Sequence, residues 1–198
     1  MQTDTPKFRF LSGLELLAGA AIVICYNVFK VMPNKVVILA VLGLLSVRLR
    51  NGSWFAMGFK RPESWRLIVI AALAAAALPS GVDEITGNLR VALLYLLLVW
   101  SFAAFAEEIG YRDYPMTRAA EFPGKSHAAW WTAVVIVAVL FGFGHYYKGP
   151  SGVVDSGMAG FVLGAAYLMT GRNMWTCVPV HGFIDTFGIV ALYFGWDS

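Results

Sequence analysis

The chain has 198 residues, 59% of them hydrophobic and only 14% charged, with a mean hydropathy of +0.67. Soluble domains run at about 45–50% apolar and about 25% charged residues, so the composition excludes a water-soluble fold and, more firmly, a disordered one. A net charge of +3, scattered along the chain, excludes a nucleic-acid footprint.

A membrane span needs about 20 apolar residues, so the length admits at most about seven crossings. Charge and turn residues divide the chain into candidate spans at Phe10–Phe29, Val36–Val47, Leu67–Leu78, Leu89–Ala106, Ala128–Gly144, Met158–Met169 and Met174–Phe194. The expected fold is all-α: a polytopic helical bundle of about seven spans around a polar cavity, forming one membrane-embedded domain over 1–198. The first run follows Lys7 and Arg9 like a signal peptide, but it is long, carries Glu15 and has no A-x-A site before Lys30, so it reads as a retained span. Between the second and third spans, Trp54, Phe55 and Trp65 suit a headgroup-level aromatic belt, as do Trp130, Trp131, Tyr146 and Tyr147 further on. Tyr146 is also placed to border the cavity. Scoring alternate loops puts eleven of the fifteen Lys and Arg on one side and four on the other, which predicts a cytoplasmic N-terminus. Cys25 and Cys177 fall in apolar runs and read as small buried hydrophobes rather than a disulfide. In the sixth span Gly157, Gly160 and Gly164 form a stripe that lets another backbone approach.

Ionisable groups in or beside apolar runs cost about 2.5–3.5 kcal/mol each at a helix centre, and so mark function first. Glu107-Glu108-Ile109-Gly110-Tyr111-Arg112 directly follows a long apolar run. On a continued helix Glu108 and Arg112 are i,i+4 partners, while Glu107 points about 100° away. One carboxylate then serves as a structural counter-ion and the other is left as a base. Phe141-Gly142-Phe143-Gly144-His145 ends the fifth span with an imidazole suited to hold a reacting water. In the last span Asp185 lies one helical turn from His181, where it could accept the ring N–H and fix the tautomer. His127 sits in a polar loop and reads as solvated; Glu15, Asp83 and Glu84 have no partner legible in the sequence.

The series EExxxR, FxxxH and HxxxN/D on three successive apolar stretches resembles the CPBP family of CAAX prenyl endopeptidases and bacteriocin-processing or immunity proteins, related to the Ras-converting endopeptidase. The matches are Glu107, Glu108 and Arg112; Phe141 and His145; His181 and Asp185. Weaker matches are the stretch GFKRPESWR and the run from Gly160 to Trp175, so the family-like core covers about 58–196. The resemblance implies a metal-independent, cofactor-free intramembrane glutamic protease in a bacterial inner membrane. Its partners would be the lipid bilayer and a membrane-anchored or lipidated substrate, prenylated or leader-bearing. It implies that Glu107 deprotonates water with help from His145, and that the last motif stabilises the oxyanion. Here Asp185 stands where the family's Asn form has an amide. An ionised Asp repels an oxyanion, which predicts that Asp185 orients His181 and that protonated His181 is the electrophile.

Other readings stay open. His145, His181 and a carboxylate could supply three ligands to zinc, although no H-E-x-x-H is present. The fold could serve as a non-proteolytic binding or self-immunity module. Buried Glu, His and Asp could also build a proton relay in a transporter, although no internal repeat is visible. A strict seven-span count also conflicts with the motif. It puts Glu107 and His145 at opposite ends of neighbouring helices, about 27 Å apart for about 18 residues. The motif requires the fourth helix to be bent or shifted, or part of 113–127 to dip back into the protein.

Overall fold

In the computed structural model, described over residues 5–30, 34–51, 58–59 and 85–196, helix dominates and no strand occurs among the described residues. Helix α1 (Pro6–Ile24) starts where the Thr5 hydroxyl accepts the Phe8 N–H and Pro6 occupies the first turn, and it widens into a π-helical turn at Cys25–Phe29. Helix α2 (Lys35–Asn51) follows. The predicted span Leu67–Leu78, together with Trp54, Phe55, Trp65, Asp83 and Glu84, lies outside the described residues.

The centre of the fold is one long rod over 89–121. It consists of α3 (Leu89–Leu98), a π turn (Val99–Ala103), α4 (Ala104–Glu108), a second π stretch (Ile109–Met116) and α5 (Thr117–Glu121). Every junction residue keeps right-handed helical angles, so the pieces wind on without a break. The expected stop at Ala106 is therefore corrected, and so is the polar loop expected to follow it. Charges at 107–118 ended the apolar pattern, but the protein satisfies them internally. Pro115, which would break an α-helix, sits in the wider π winding. All of Gly110–Met116 is buried, which makes this stretch the core of the bundle.

Beyond the rod come α6 (His127–Gly144), α7 (Gly149–Met169) and α8 (Met174–Phe194), capped by Ser126 and Asn173 at α6 and α8. The sixth span was expected to begin at Met158 but begins at Gly149, because Pro150 falls in the first turn, where its missing N–H costs nothing. Helices α6 and α7 touch backbone to backbone. A Cβ on Gly142 would lie 2.5 Å from the Val153 carbonyl oxygen, and Gly160 and Gly164 sit against Phe141 and Val134, as the glycine stripe predicts. The reversal into α8 uses left-handed Arg172 (φ 61), whose N–H bonds Tyr167 O at 2.7 Å. Gly58 O then accepts the Met174 N–H at 2.8 Å. Among the described residues, four helices are long and apolar enough to cross a membrane: 6–27, His127–Gly144, Tyr146–Met169 and Met174–Phe194. Their outer faces expose Leu17, Val139, Met158 and Phe187, as a lipid-facing surface requires. Cys177 is buried and Cys25 half-buried, both free thiols.

Glu15 finds its partners in the fold. Its carboxylate accepts from Ser46 Oγ (2.6 Å), Arg50 Nε (2.9 Å) and Arg118 Nε (2.8 Å). Arg118 and Arg50 also reach Glu121, and Ser12 Oγ donates to Glu121 at 2.9 Å. One buried network thus ties α1, α2 and α5 together. Burial alone would push the Glu121 carboxyl up, but the Arg118 guanidinium and the Lys125 ammonium outweigh it and hold it below the ordinary carboxylate range. A carboxyl with a depressed folded pKa stabilises fully above its unfolded value, about 4.3, and loses that contribution as pH falls through the folded value. Glu121→Gln should therefore cost about 3–5 kcal/mol near neutral pH. In detergent-solubilised unfolding curves, the gap between variant and wild type should close as pH drops below about 4.

Candidate active site

The continued rod places Glu107 and Glu108 at mid-length rather than at a membrane end. Glu108 and Arg112 are fully buried and in ion-pair contact, Nε to Oε2 at 3.2 Å, as their i,i+4 spacing predicts. Arg112 also donates to Gly160 O at 3.4 Å and lies 4.9 Å over the Phe141 ring. From α8, His181 reaches the other carboxylate oxygen of Glu108: Nδ1 lies 2.8 Å from Oε1. Its Nε2 faces Glu107 Oε2 at 3.8 Å and Asp185 Oδ2 at 3.5 Å. Asp185 thus stands beside the ring at the expected i,i+4 spacing, but the short hydrogen bond is made at the other nitrogen. Glu108 takes that hydrogen bond, because α8 presents the opposite edge of the ring to the rod, and Asp185 stands beside Nε2 with a third of its side chain exposed.

His145 closes the far side. Its Nδ1 lies 2.9 Å from Phe141 O. A carbonyl can only accept, so Nδ1 carries a proton, and in the neutral ring the lone pair is then on Nε2. The Phe141 ring sits between the two imidazoles, 4.8 Å from His145 and 6.0 Å from His181. Tyr111 meets Phe141 edge-on at 4.9 Å. The six residues singled out in the sequence, Glu107, Glu108, Arg112, His145, His181 and Asp185, thus lie around Phe141 and His181 in one chain of contacts. Exposure rises from the fully buried Glu108 toward Glu107 and Asp185, which marks the open side of the cluster. Among the described residues, no three His, Cys, Asp or Glu side chains are arranged to hold one metal ion.

A family model described as type II CAAX prenyl endopeptidase Rce1-like matches residues 89–187. The chain belongs to this family. Its members are CAAX-type membrane proteases, and the apolar helices make this chain an integral membrane protein. The matched segment is narrower than the 58–196 read from motifs, but it holds all six site residues. No curated protein and no solved structure matches the chain with significance.

Three neighbours of the site were not legible in the sequence. Lys35, at the start of α2, is buried and lies 4.7 Å over the Tyr26 ring and 5.8 Å over that of Tyr147. Tyr147, rather than Tyr146, is the tyrosine that approaches His145, with ring centroids 6.0 Å apart. Tyr111 is buried against Gly144. Each lies in a stretch whose local pattern suggests only a helix end or an interface anchor. His127 is exposed and accepts from Trp131 Nε1 at 3.4 Å.

The geometry separates the two partners of His181. Glu108→Gln leaves Arg112 without its buried counter-ion and should destabilise the protein by about 3–5 kcal/mol. Asp185→Asn removes only a one-third-exposed charge at 3.5 Å and should cost about 1 kcal/mol or less. Thermal unfolding of the two variants side by side checks the order.

Proposed function

We propose that this Rce1-like protein is an intramembrane glutamic endopeptidase that works without a metal. Glu107 takes a proton from a water molecule as the water oxygen attacks the scissile carbonyl carbon. The new oxyanion is stabilised by the Nε2–H of protonated His181, whose Nδ1–H is held by Glu108. His145, with its free Nε2, holds the attacking water in line. Collapse of the tetrahedral intermediate breaks the C–N bond, and Glu107 returns the proton to the leaving amine, so no cofactor is consumed.

The observation that carries this reading is the position of His181 between two carboxylates of unequal surroundings. Glu108 is fully buried and neutralised by Arg112, whereas Glu107 is nearly as deep and, among the described residues, has no Arg or Lys in ion-pair contact, only the His181 ring at 3.8 Å. That asymmetry supports a structural role for one and a chemical role for the other of two adjacent residues of one type. Asp185, as an acceptor beside Nε2, favours a proton on that nitrogen rather than touching the oxyanion itself. The substrate is a membrane-anchored or lipidated peptide, for which a bilayer-embedded site is the natural meeting place. We place the protein in a bacterial inner membrane with its N-terminus cytoplasmic, in keeping with Lys7 and Arg9 ahead of the first apolar run.

Purified protein in lipid nanodiscs should cleave prenylated or leader-bearing peptides and keep that activity in strong chelator. Glu107→Gln should lower kcat by about a thousandfold or more, with the protein still folded. Cleavage abolished by chelator would point to a metal. Glu107→Gln activity equal to wild type would point to a binding or immunity module.

A further inference from the structure

Between Leu98 and Ala104 the rod widens by one π turn, Val99–Ala103, and Trp100 sits in it. In an unbroken α-helix the steps from Trp100 to Glu108 would turn about 800°, leaving the two side chains about 80° apart around the axis. A π turn holds about one residue more than an α turn, which takes up most of that offset and brings both onto one face. Both then meet α8. Glu108 holds His181 Nδ1 at 2.8 Å, and Trp100 Nε1 donates to Thr186 Oγ1 at 2.9 Å. Thr186 passes the bond on, its hydroxyl donating to Gly182 O at 2.7 Å. The indole also lies face-on against Gly182. A Cβ there would stand 2.9 Å from Cε3, Cζ3 and Cη2 alike, so glycine alone admits the ring. Phe183 meets the same indole edge-on at 5.3 Å. Gly182 and Thr186 directly follow His181 and Asp185, so Trp100 grips α8 one residue from each ionisable side chain.

Resting on the peptidase reading above, we propose that Trp100 is a positioning residue: with Thr186 and Gly182 it sets the rotation of α8 that aims His181 at Glu107 and the scissile carbonyl. It touches no reacting atom and acts through His181. The Glu108–His181 bond is one point of contact between the rod and α8, and a helix held at one point can turn about it. Trp100, about two turns away along the rod, supplies a second point and removes that freedom. A threonine hydroxyl bonded to the carbonyl four residues back bends its helix slightly, and the indole N–H fixes the hydroxyl in that place. Packing alone asks only for an apolar side chain at this position. The hydrogen-bond chain and the missing Cβ on Gly182 fix an orientation as well.

The test uses the full chain in lipid nanodiscs and two readouts: peptide cleavage, and the ring-nitrogen NMR shifts of isotope-labelled histidine, which need no activity. Trp100→Phe keeps a ring and loses the N–H. Thr186→Val keeps the shape and the indole but breaks the same hydrogen-bond chain, and it decides the matter if Trp100→Phe does not fold. Gly182→Ala drives a methyl against the indole face. Each should move the His181 ring signals and leave those of the exposed His127 in place. Each should also lower kcat by about ten- to a hundredfold with KM within about twofold, as a misaimed group does and lost binding does not. Trp100→Phe and Thr186→Val combined should do little more than either alone, since both cut one chain. His181 signals unmoved by Thr186→Val and Gly182→Ala, or a lowered Tm with kcat at the wild-type level, would make the indole ordinary packing and overturn the proposal. If the His181 signals move as expected but wild type cuts no peptide, the peptidase reading fails and the positioning of His181 by Trp100 stands.

Discussion

A carboxylate with no exposure to solvent governs how this bundle is assembled. Glu108 contacts Arg112 on its own helix and His181 on another, so three ionisable groups in the interior of the bundle share one arrangement. Each would cost about 2.5–3.5 kcal/mol alone in an apolar helix. Together they are tolerable only if α8 sits at one height and one rotation against the rod. The register of α8 is set from two directions: Asn173 caps its start while Gly58 O holds the Met174 N–H, and further along Trp100 Nε1 donates to Thr186 at 2.9 Å. Glu107 and Asp185 are then both delivered to the His181 Nε2, at 3.8 and 3.5 Å.

The second polar network does the corresponding work toward the other end of the rod. Glu15, Arg50, Arg118 and Glu121 lock α1 and α2 to α5. Those two helices lie outside the residues matched by the family model, yet α2 carries Lys35 to the rim of the site. Gly110 helps, since a Cβ there would lie 3.1 Å from the Leu39 side chain. The rod is therefore clamped at two levels by charge and between them by close backbone contact. Helix α6 is held by the glycine contacts with α7, which place Phe141 and His145 beside the rod.

The fold class and the six motif residues were legible because lipid imposes a strong rule: an ionisable group in an apolar run must have a reason. The Glu108–Arg112 pair followed from helical spacing alone. The end of the fourth span did not. Its charges looked like a helix reaching water, and only the fold shows Arg118 bonded to Glu15, a partner 103 residues away in sequence. That error also produced the apparent separation of Glu107 from His145, which disappears once the rod continues. The second partner of His181 was not legible for a related reason. Asp185 is its neighbour by helical spacing, whereas Glu108, 73 residues away, is its neighbour in space. Lys35 carries no local signal, since its burial comes from the rings of Tyr26 and Tyr147 around it.

The most direct test of this architecture is a double-mutant cycle between the rod and α8. Unfolding free energies of Glu108→Gln, His181→Gln and the double variant, measured in the same detergent, report whether the two side chains act as one unit. The structure predicts a coupling of about 1–3 kcal/mol, with the double variant less damaged than the singles would imply. Effects that add to within about 0.5 kcal/mol would mean that Glu108 does not seat His181, and the arrangement described above would be wrong.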